Sequence, residues 1–307
     1  MKINQKLSLF LLLTVLLASL LSGCAKATLT PTTLTDGMGR TVTLSAPAQR
    51  VISLSPSNTE ILFAIGAGAQ VVGRDEFSDY PAEVSALPSV GGSMGKYNFE
   101  QIAALKPDLV LAGALQTPEQ IKTLEDLGLN VYVLTNPTDL DGMYKDLQTV
   151  GKLTGKEAEA EKLAASLKAR VDAVEAKLSQ TSERPLVFYE LDGSTPDKPW
   201  TSGPNTFIST LIAKAGGKNV GDALESEWAQ ISQEALIAQN PTIILLGDAA
   251  YGTTPEQVAQ RPGWDAIAAV KAGKVYPFDD NLLSRPGPRL VDGLEALAKL
   301  IHPELFQ

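Results

Sequence analysis

Short runs of β-branched and apolar residues alternate along this chain with stretches whose apolar positions recur at helical spacing. The runs "RVISLS" (50–55), "VVGR" (71–74), "LVLAG" (109–113), "VYVLT" (131–135), "PLVFYEL" (185–191), "TIILLG" (242–247) and "KVYPF" (274–278) predict strands. Between them the pattern predicts helices over Thr59–Ile65, Phe99–Leu105, Pro118–Leu127, Thr206–Ala215, Gln233–Ala238 and Arg289–Leu300. Strand and helix in alternation predict an α/β fold of parallel sheets covered on both faces.

The middle of the chain breaks this alternation. From Asp139 to Leu178 it reads almost wholly as helix, and "GKEAEAEKLAASLKARVDAVEAKLSQ" (155–180) carries Leu163, Leu167, Val171 and Val174 at helical spacing, with no proline and no internal glycine. A helix of about 25 residues spans nearly 40 Å, enough to bridge two lobes. With an α/β half on each side, the bridge is preferred to an ordinary surface helix. The expected organisation is a lobe over 37–138, a helical linker over 139–182 and a second lobe over 183–307.

One phrase is written twice. In "YNFEQIAALKPDLVLAG" (97–113) and "ISQEALIAQNPTIILLG" (231–247) a glutamate precedes a proline by seven residues and the proline precedes a glycine by six. Each copy reads as a short helix opened by the glutamate, closed by the proline and followed directly by a strand. Glu100 and Glu234 therefore occupy equivalent places, one per lobe. A favourable interaction with the helix dipole explains each one equally well on spacing alone.

At the start, Lys2 and Lys6 precede an apolar run from Leu7 to Leu21, too short for an ordinary membrane span and followed by small residues. This predicts a secretory signal over 1–23. The run ends in Leu21-Ser22-Gly23-Cys24, which resembles a bacterial lipobox; the resemblance implies cleavage before Cys24 and its lipidation, and several acyl chains anchor a protein stably. Cys24 is the only cysteine, so disulfide frameworks and thiolate zinc clusters are excluded. The polar stretch "AKATLTPTTLT" suits a tether, expected over 24–36. Acidic residues (35) outnumber basic ones (26), which argues against nucleic acid as a partner and favours solubility.

The lipobox, "TDGMGRTVTLSAPAQRVISLSPSNTEILFAIGAG", "FSDYP", "NFEQIAALKPDLVLA", the helical bridge, "PWTSGPNTFISTLIAKAGGKNV", "WAQISQEALIAQNPTIIL" and "SRPGPRLVDGLEALAKLIHPE" occur in this order across nearly the whole mature chain. Together they resemble the extracytoplasmic binding proteins of ABC importers for corrinoids, ferric siderophores and haem, and among these the vitamin B12 (cobalamin) binding proteins most. The resemblance implies two Rossmann-like lobes with parallel-rich sheets, joined by one long rigid helix, with ligand held in the cleft between them. It implies a protein exported and anchored to the outer side of the cytoplasmic membrane, in a periplasm or at the cell surface. It further implies a monomer that serves a permease dimer driven by a cytoplasmic ATPase, with Glu100 and Glu234 docking on the two permease subunits.

By the same resemblance Tyr80, Met94, Tyr97, Trp200, Trp228, Asn281 and Arg285 line the ligand site. Aromatic walls suit a flat macrocycle, because rings give broad apolar contact at low conformational cost. Asn281 stands where the relatives carry an acid, and Met94 and Gly113 where they carry aromatics, so the lining is thinner here. Arg74 and Arg289 can serve structure instead of a ligand. A neutral, amide-rich corrinoid fits this lining better than an anionic ferric siderophore, which wants clustered arginines. The ferric siderophore, or haem, remains the alternative.

No metal site and no resident cofactor is expected. The one histidine, His302, follows the last predicted helix and reads as a surface residue, which excludes a multi-histidine metal site and argues against histidine-ligated haem. Gly91-Gly92-Ser93-Met94-Gly95 matches the G-x-S-x-G nucleophile elbow of serine hydrolases, but no strong strand precedes Ser93, so an enzyme is not expected. Gly66 and Gly68 follow a helix, and so read as a helix cap and turn instead of a dinucleotide loop.

Overall fold

The computed structural model describes residues 31–306. The expected signal peptide, the lipobox and Cys24 lie outside the described residues. The described chain opens on a hairpin of β1 (Thr32–Thr35) and β2 (Thr41–Leu44). Its turn is built by Asp36, whose carboxylate accepts the amides of Met38 and Arg40 at 3.0 and 2.9 Å. Residues 32–36 were expected in the tether; they are instead tied to the first lobe, Gly37 donating its amide to Val133 O and Tyr132 its hydroxyl to Thr35 O. The threonines there pair across two strands, a β-branched signal that reads equally well as a polar linker.

The first lobe runs β3 (Val51–Ser53), α1 (Pro56–Ala64), β4 (Val71–Arg74), α2 (Phe99–Ala104), β5 (Leu109–Ala112), α3 (Pro118–Asp126) and β6 (Val131–Val133). Then come α4 (Leu140–Thr154) and α5 (Glu157–Leu178). The second lobe comprises β7 (Leu186–Glu190), β8 (Trp200–Ser202), α6 (Phe207–Lys214), β9 (Lys218–Asn219), β10 (Trp228–Gln230), α7 (Gln233–Gln239), β11 (Ile243–Leu246), α8 (Pro255–Ala259), α9 (Ala268–Lys271), β12 (Val275–Pro277), α10 (Asn281–Ser284) and α11 (Leu290–Ile301). Every strand and helix expected from periodicity is present, with ends shifted by a few residues.

Two separate four-stranded parallel sheets result, ordered β4-β3-β5-β6 and β9-β7-β11-β12. The order is the same in each: second, first, third, fourth. Both are sandwiched. In β5, Leu109 and Leu111 face one core and Val110 and Ala112 the other; in β11, Ile243 and Leu245 share the first core while Ile244 and Leu246 face a third.

The expected single rod is broken once. Gly155, at φ 71°, caps α4, and α5 then carries the bridge alone over 22 residues, about 33 Å. Ala160, Ala164, Leu167, Val171, Val174 and Leu178 form its buried stripe. That stripe belongs to one continuous core with Leu147 and Val150 of α4 and with Leu211, Leu294 and Leu297 of the second lobe. Arg170 of α5 adds ion pairs to Asp292 and Glu295 of α11 at 2.5 and 2.8 Å. The lobes are thus joined by packing as well as by chain.

Candidate functional site

In parallel α/β sheets ligands bind beyond the carboxyl ends of the strands. Here the carboxyl edges of the two sheets approach each other. Arg285, in the segment after β12, reaches Asp79, in the segment after β4, at 2.6 Å. A small cavity joins Ser55, Asn58, Gly113 and Thr135, all beyond strand ends of the first lobe, to Pro286 of the second. A concavity of about 560 Å³ lies between α5 and α6, away from these edges, and bears on packing instead.

Large apolar side chains are left exposed along both edges. Met94 (92 %) stands in the loop between β4 and α2, Leu115 (91 %) after β5 and Tyr251 (91 %) after β11. Phe77 and Tyr80, after β4, are half exposed, as are Trp200 and Trp228. The two tryptophans do not sit in loops. They lie on the antiparallel ribbon β8/β10, where Trp228 pairs with Ser202 and Trp200 with Gln230. Residues opposite each other share a face, and so do residues two apart, so both indoles project from one face as a diagonal pair. Trp228 also leans on Phe207, ring centroids 6.0 Å apart.

The ribbon is fixed at its root. Glu190, which ends β7 and is fully buried, forms a fork with Arg261 at 2.5 and 2.8 Å. Burial pushes the Glu190 carboxyl up, against the pull of Arg261. Asp248 accepts the amide of Gly193 at 2.9 Å, and Leu191 donates its amide to Trp200 O. No sequence signal marked this group, because a charged pair is legible only once both partners are brought together.

The remaining expected residues differ in how free they are. Tyr97 is half-buried: its hydroxyl donates to Leu54 O at 3.3 Å and accepts from Gln116 Nε2 at 2.7 Å, and burial raises its pKa. Asn281 donates to Asp279 Oδ1 at 3.0 Å. Arg285 is paired with Asp79 and, at 3.2 Å, with Glu60. Its hydrogen bond holds the Asp79 carboxyl below the usual range. Arg74 serves structure, donating to Val84 O, Asp75 O and Glu76 O. Glu60 went unnoticed in the sequence, although a glutamate directly before the apolar run Ile61–Ile65 is the signal that marks it.

Glu100 and Glu234 each take the second position of a short helix, α2 and α7, and both are exposed. Asn98 and Ser232 cap these helices, accepting the amides of Gln101 and Ala235 at 3.0 and 3.2 Å. Each helix runs back along its sheet to the third strand, which puts its first turn at the carboxyl edge.

Two expectations about chemistry resolve here. Ser93 lies in a 3₁₀ turn with Met94 at φ 49°, outside any strand-to-helix elbow. His302 does end the last helix, but it is buried, not on the surface, with Nε2 3.1 Å from Gly216 O. A β-carbon at Gly216 would lie 2.6 Å from that nitrogen, so the glycine admits the ring. Gly66, at φ 76°, follows α1 as a cap. Among the described residues no group of His, Cys, Asp and Glu could hold a metal ion, and no helix is long and apolar enough to cross a membrane.

Comparison with known proteins agrees with this architecture. Residues 51–282 match the family model described as periplasmic binding protein. An uncharacterized ABC transporter substrate-binding lipoprotein of Bacillus subtilis, YvrC, is 33 % identical over 95 % of this chain and 96 % of its own. A cobalamin-binding protein of Halobacterium salinarum is 31 % identical over 89 % of this chain and 74 % of its own. The periplasmic heme-binding protein RhuT of Roseiflexus superposes with a TM-score of 0.75 at 28 % identity, covering 84 % of this chain and 99 % of that one. With two like-ordered parallel sheets, a helical bridge and facing carboxyl edges, this chain belongs to the periplasmic binding protein family.

Proposed function

We propose that this chain is an exported, lipid-anchored binding protein that takes a corrinoid into the cleft between its sheet edges and delivers it to the permease of an ABC importer. The observation that carries the reading is the set of exposed apolar side chains on both edges, above all the diagonal pair Trp200 and Trp228. Exposed rings have an unfavourable hydration that a broad, flat guest relieves. Arg285 and Arg289 are each paired with acids and Arg74 with backbone carbonyls, which favours a neutral, amide-rimmed ligand over an anionic one. The cobalamin-binding relative supports this choice. A haem or ferric siderophore is the alternative; His302, the sole histidine, packs against Gly216 and not at the sheet edges.

Delivery rests on Glu100 and Glu234. A permease built of two like subunits presents two like surfaces, and a single-chain partner meets both only by offering the same group on each lobe. Exposed charge pairs add little affinity but set register and encounter rate. Cys24 supplies the anchor. Titration with cyanocobalamin, cobinamide, hemin and a ferric siderophore, followed by tryptophan quenching, tests the ligand. Saturable quenching by the corrinoids is expected; quenching by hemin or the siderophore alone overturns the assignment.

A further inference from the structure

Two arginines of the second lobe converge on one carboxylate of the first. Glu60, on α1, is almost wholly buried, and its Oε2 accepts Arg289 Nε at 2.9 Å while Oε1 accepts Arg289 Nη2 at 2.6 Å. This is a two-point fork, the strongest geometry available to an arginine and a carboxylate. Arg285 Nη1 donates to the same Oε1 at 3.2 Å and to Asp79 Oδ1 at 2.6 Å. The Arg289 guanidinium also lies 4.1 Å over the ring of Tyr80, the residue after Asp79. Two acids and two arginines thus balance across the interlobe seam.

The four groups are not equivalent. The side chains of Glu60, Arg285 and Arg289 are 2 %, 14 % and 15 % exposed, whereas that of Asp79 is 66 % exposed. The fork therefore lies where solvent and salt screen little, while the Asp79 contact lies where they screen strongly. Losing Asp79 does not orphan Arg285, since Glu60 Oε1 still accepts from it. Losing Glu60 leaves two enclosed arginines without their shared partner.

We propose that this cluster is a two-part interlobe latch, in which Glu60 and Arg289 form a permanent brace that sets the spacing of the lobes and Asp79 forms a releasable arm on Arg285. Opening the arm frees guanidinium donors at the sheet edges without letting the lobes part. The surroundings suit such a division. The root of the Asp79 loop is held by Asp75, which accepts the amide of Phe77 at 2.8 Å and the hydroxyl of Ser78 at 2.5 Å, and Ser78 in turn bonds Thr59 of α1. The outer part of the loop meets the other lobe, Asp79 and the Phe77 carbonyl at Arg285, the latter at 3.4 Å, and Tyr80 at Arg289. Behind the brace a cavity of about 410 Å³, lined by Phe63, Tyr80, Leu163, Leu167 and Pro288, gives that outer part room to shift.

Hydrogen–deuterium exchange on the full chain tests both parts without any ligand. For Asp79→Asn the Arg285 guanidinium protons, followed by NMR, should exchange several-fold faster, while the amides of Gly287 and Leu290, which close turns beside Arg289, stay as protected as in the parent. High salt should reproduce this pattern in the unmodified chain. For Glu60→Gln both the Arg285 guanidinium protons and the amides of Gly287 and Leu290 should exchange faster, with strands β3 and β7 unchanged. If Glu60→Gln does not fold, Arg289→Lys, which keeps the charge and loses the fork, decides by the same readout. The latch is overturned if Asp79→Asn leaves the Arg285 guanidinium protons protected, if it loosens Gly287 and Leu290 equally, or if breaking the fork leaves Gly287 and Leu290 as protected as before.

Discussion

Lys106 and Asn240 adopt the same left-handed backbone, φ 49° and 53°, each one residue before a proline and a few before a buried strand. The twin phrases of the sequence are therefore twin structures, down to a turn that neither sequence spells with glycine. This kinship makes Glu100 and Glu234 counterparts and gives the predictions about them their basis.

Replacing both Glu100 and Glu234 with alanine should abolish uptake while leaving ligand affinity unchanged, because both side chains stand exposed at helix starts. Transport assays in cells, set beside titration of the purified variant, decide this. Undiminished uptake would remove the docking role.

Left-handed backbone costs a residue with a β-carbon about 1–2 kcal/mol, less for asparagine, which hydrogen-bonds locally. Lys106 is exposed, so its replacement removes no packing. Lys106→Asn should raise stability by roughly 0.5 kcal/mol in urea denaturation. A loss of stability would show that the lysine side chain contributes something the geometry does not reveal.

Trp200 and Trp228 differ in what holds them. Trp228 packs on Phe207, whereas Trp200 projects from the ribbon beside Gln230. Each alanine variant should weaken ligand binding by about tenfold or more, the range of a buried aromatic anchor. Trp228→Ala should also lower the melting temperature, and Trp200→Ala should not. Unchanged affinity in both variants would refute the proposed lining.

Asp146, on α4, borders the small interlobe cavity at Pro286, and burial pushes its carboxyl up to about 7. The folded pKa exceeds the unfolded one, so the folded chain binds the extra proton between about pH 4 and 7 and loses stability as pH rises through that window. Asp146→Asn should then stabilise the protein by about 2 kcal/mol at pH 8 and hardly at all at pH 4. Urea midpoints at the two pH values measure this; equal effects at both would mean that Asp146 is solvated.

Legibility varied with the range of the interaction. Strands such as β4 were readable to the residue, and α3 and α7 nearly so, because alternation, caps and prolines act within one or two turns. The hairpin β1/β2 and the ribbon β8/β10 were not, since two short polar strands stabilise each other only once paired. His302 looked like a surface residue for the same reason: its burial depends on Gly216, far away in the chain.

What the sequence determined by itself is the α/β alternation, the bridge and the duplicated unit carrying one glutamate per lobe, all written in local period and capping chemistry. What only the tertiary structure decided is how the two halves meet. Glu60 and Arg289 are 229 residues apart, and the charge pairing that sets the interlobe seam exists only where folding removes both from water.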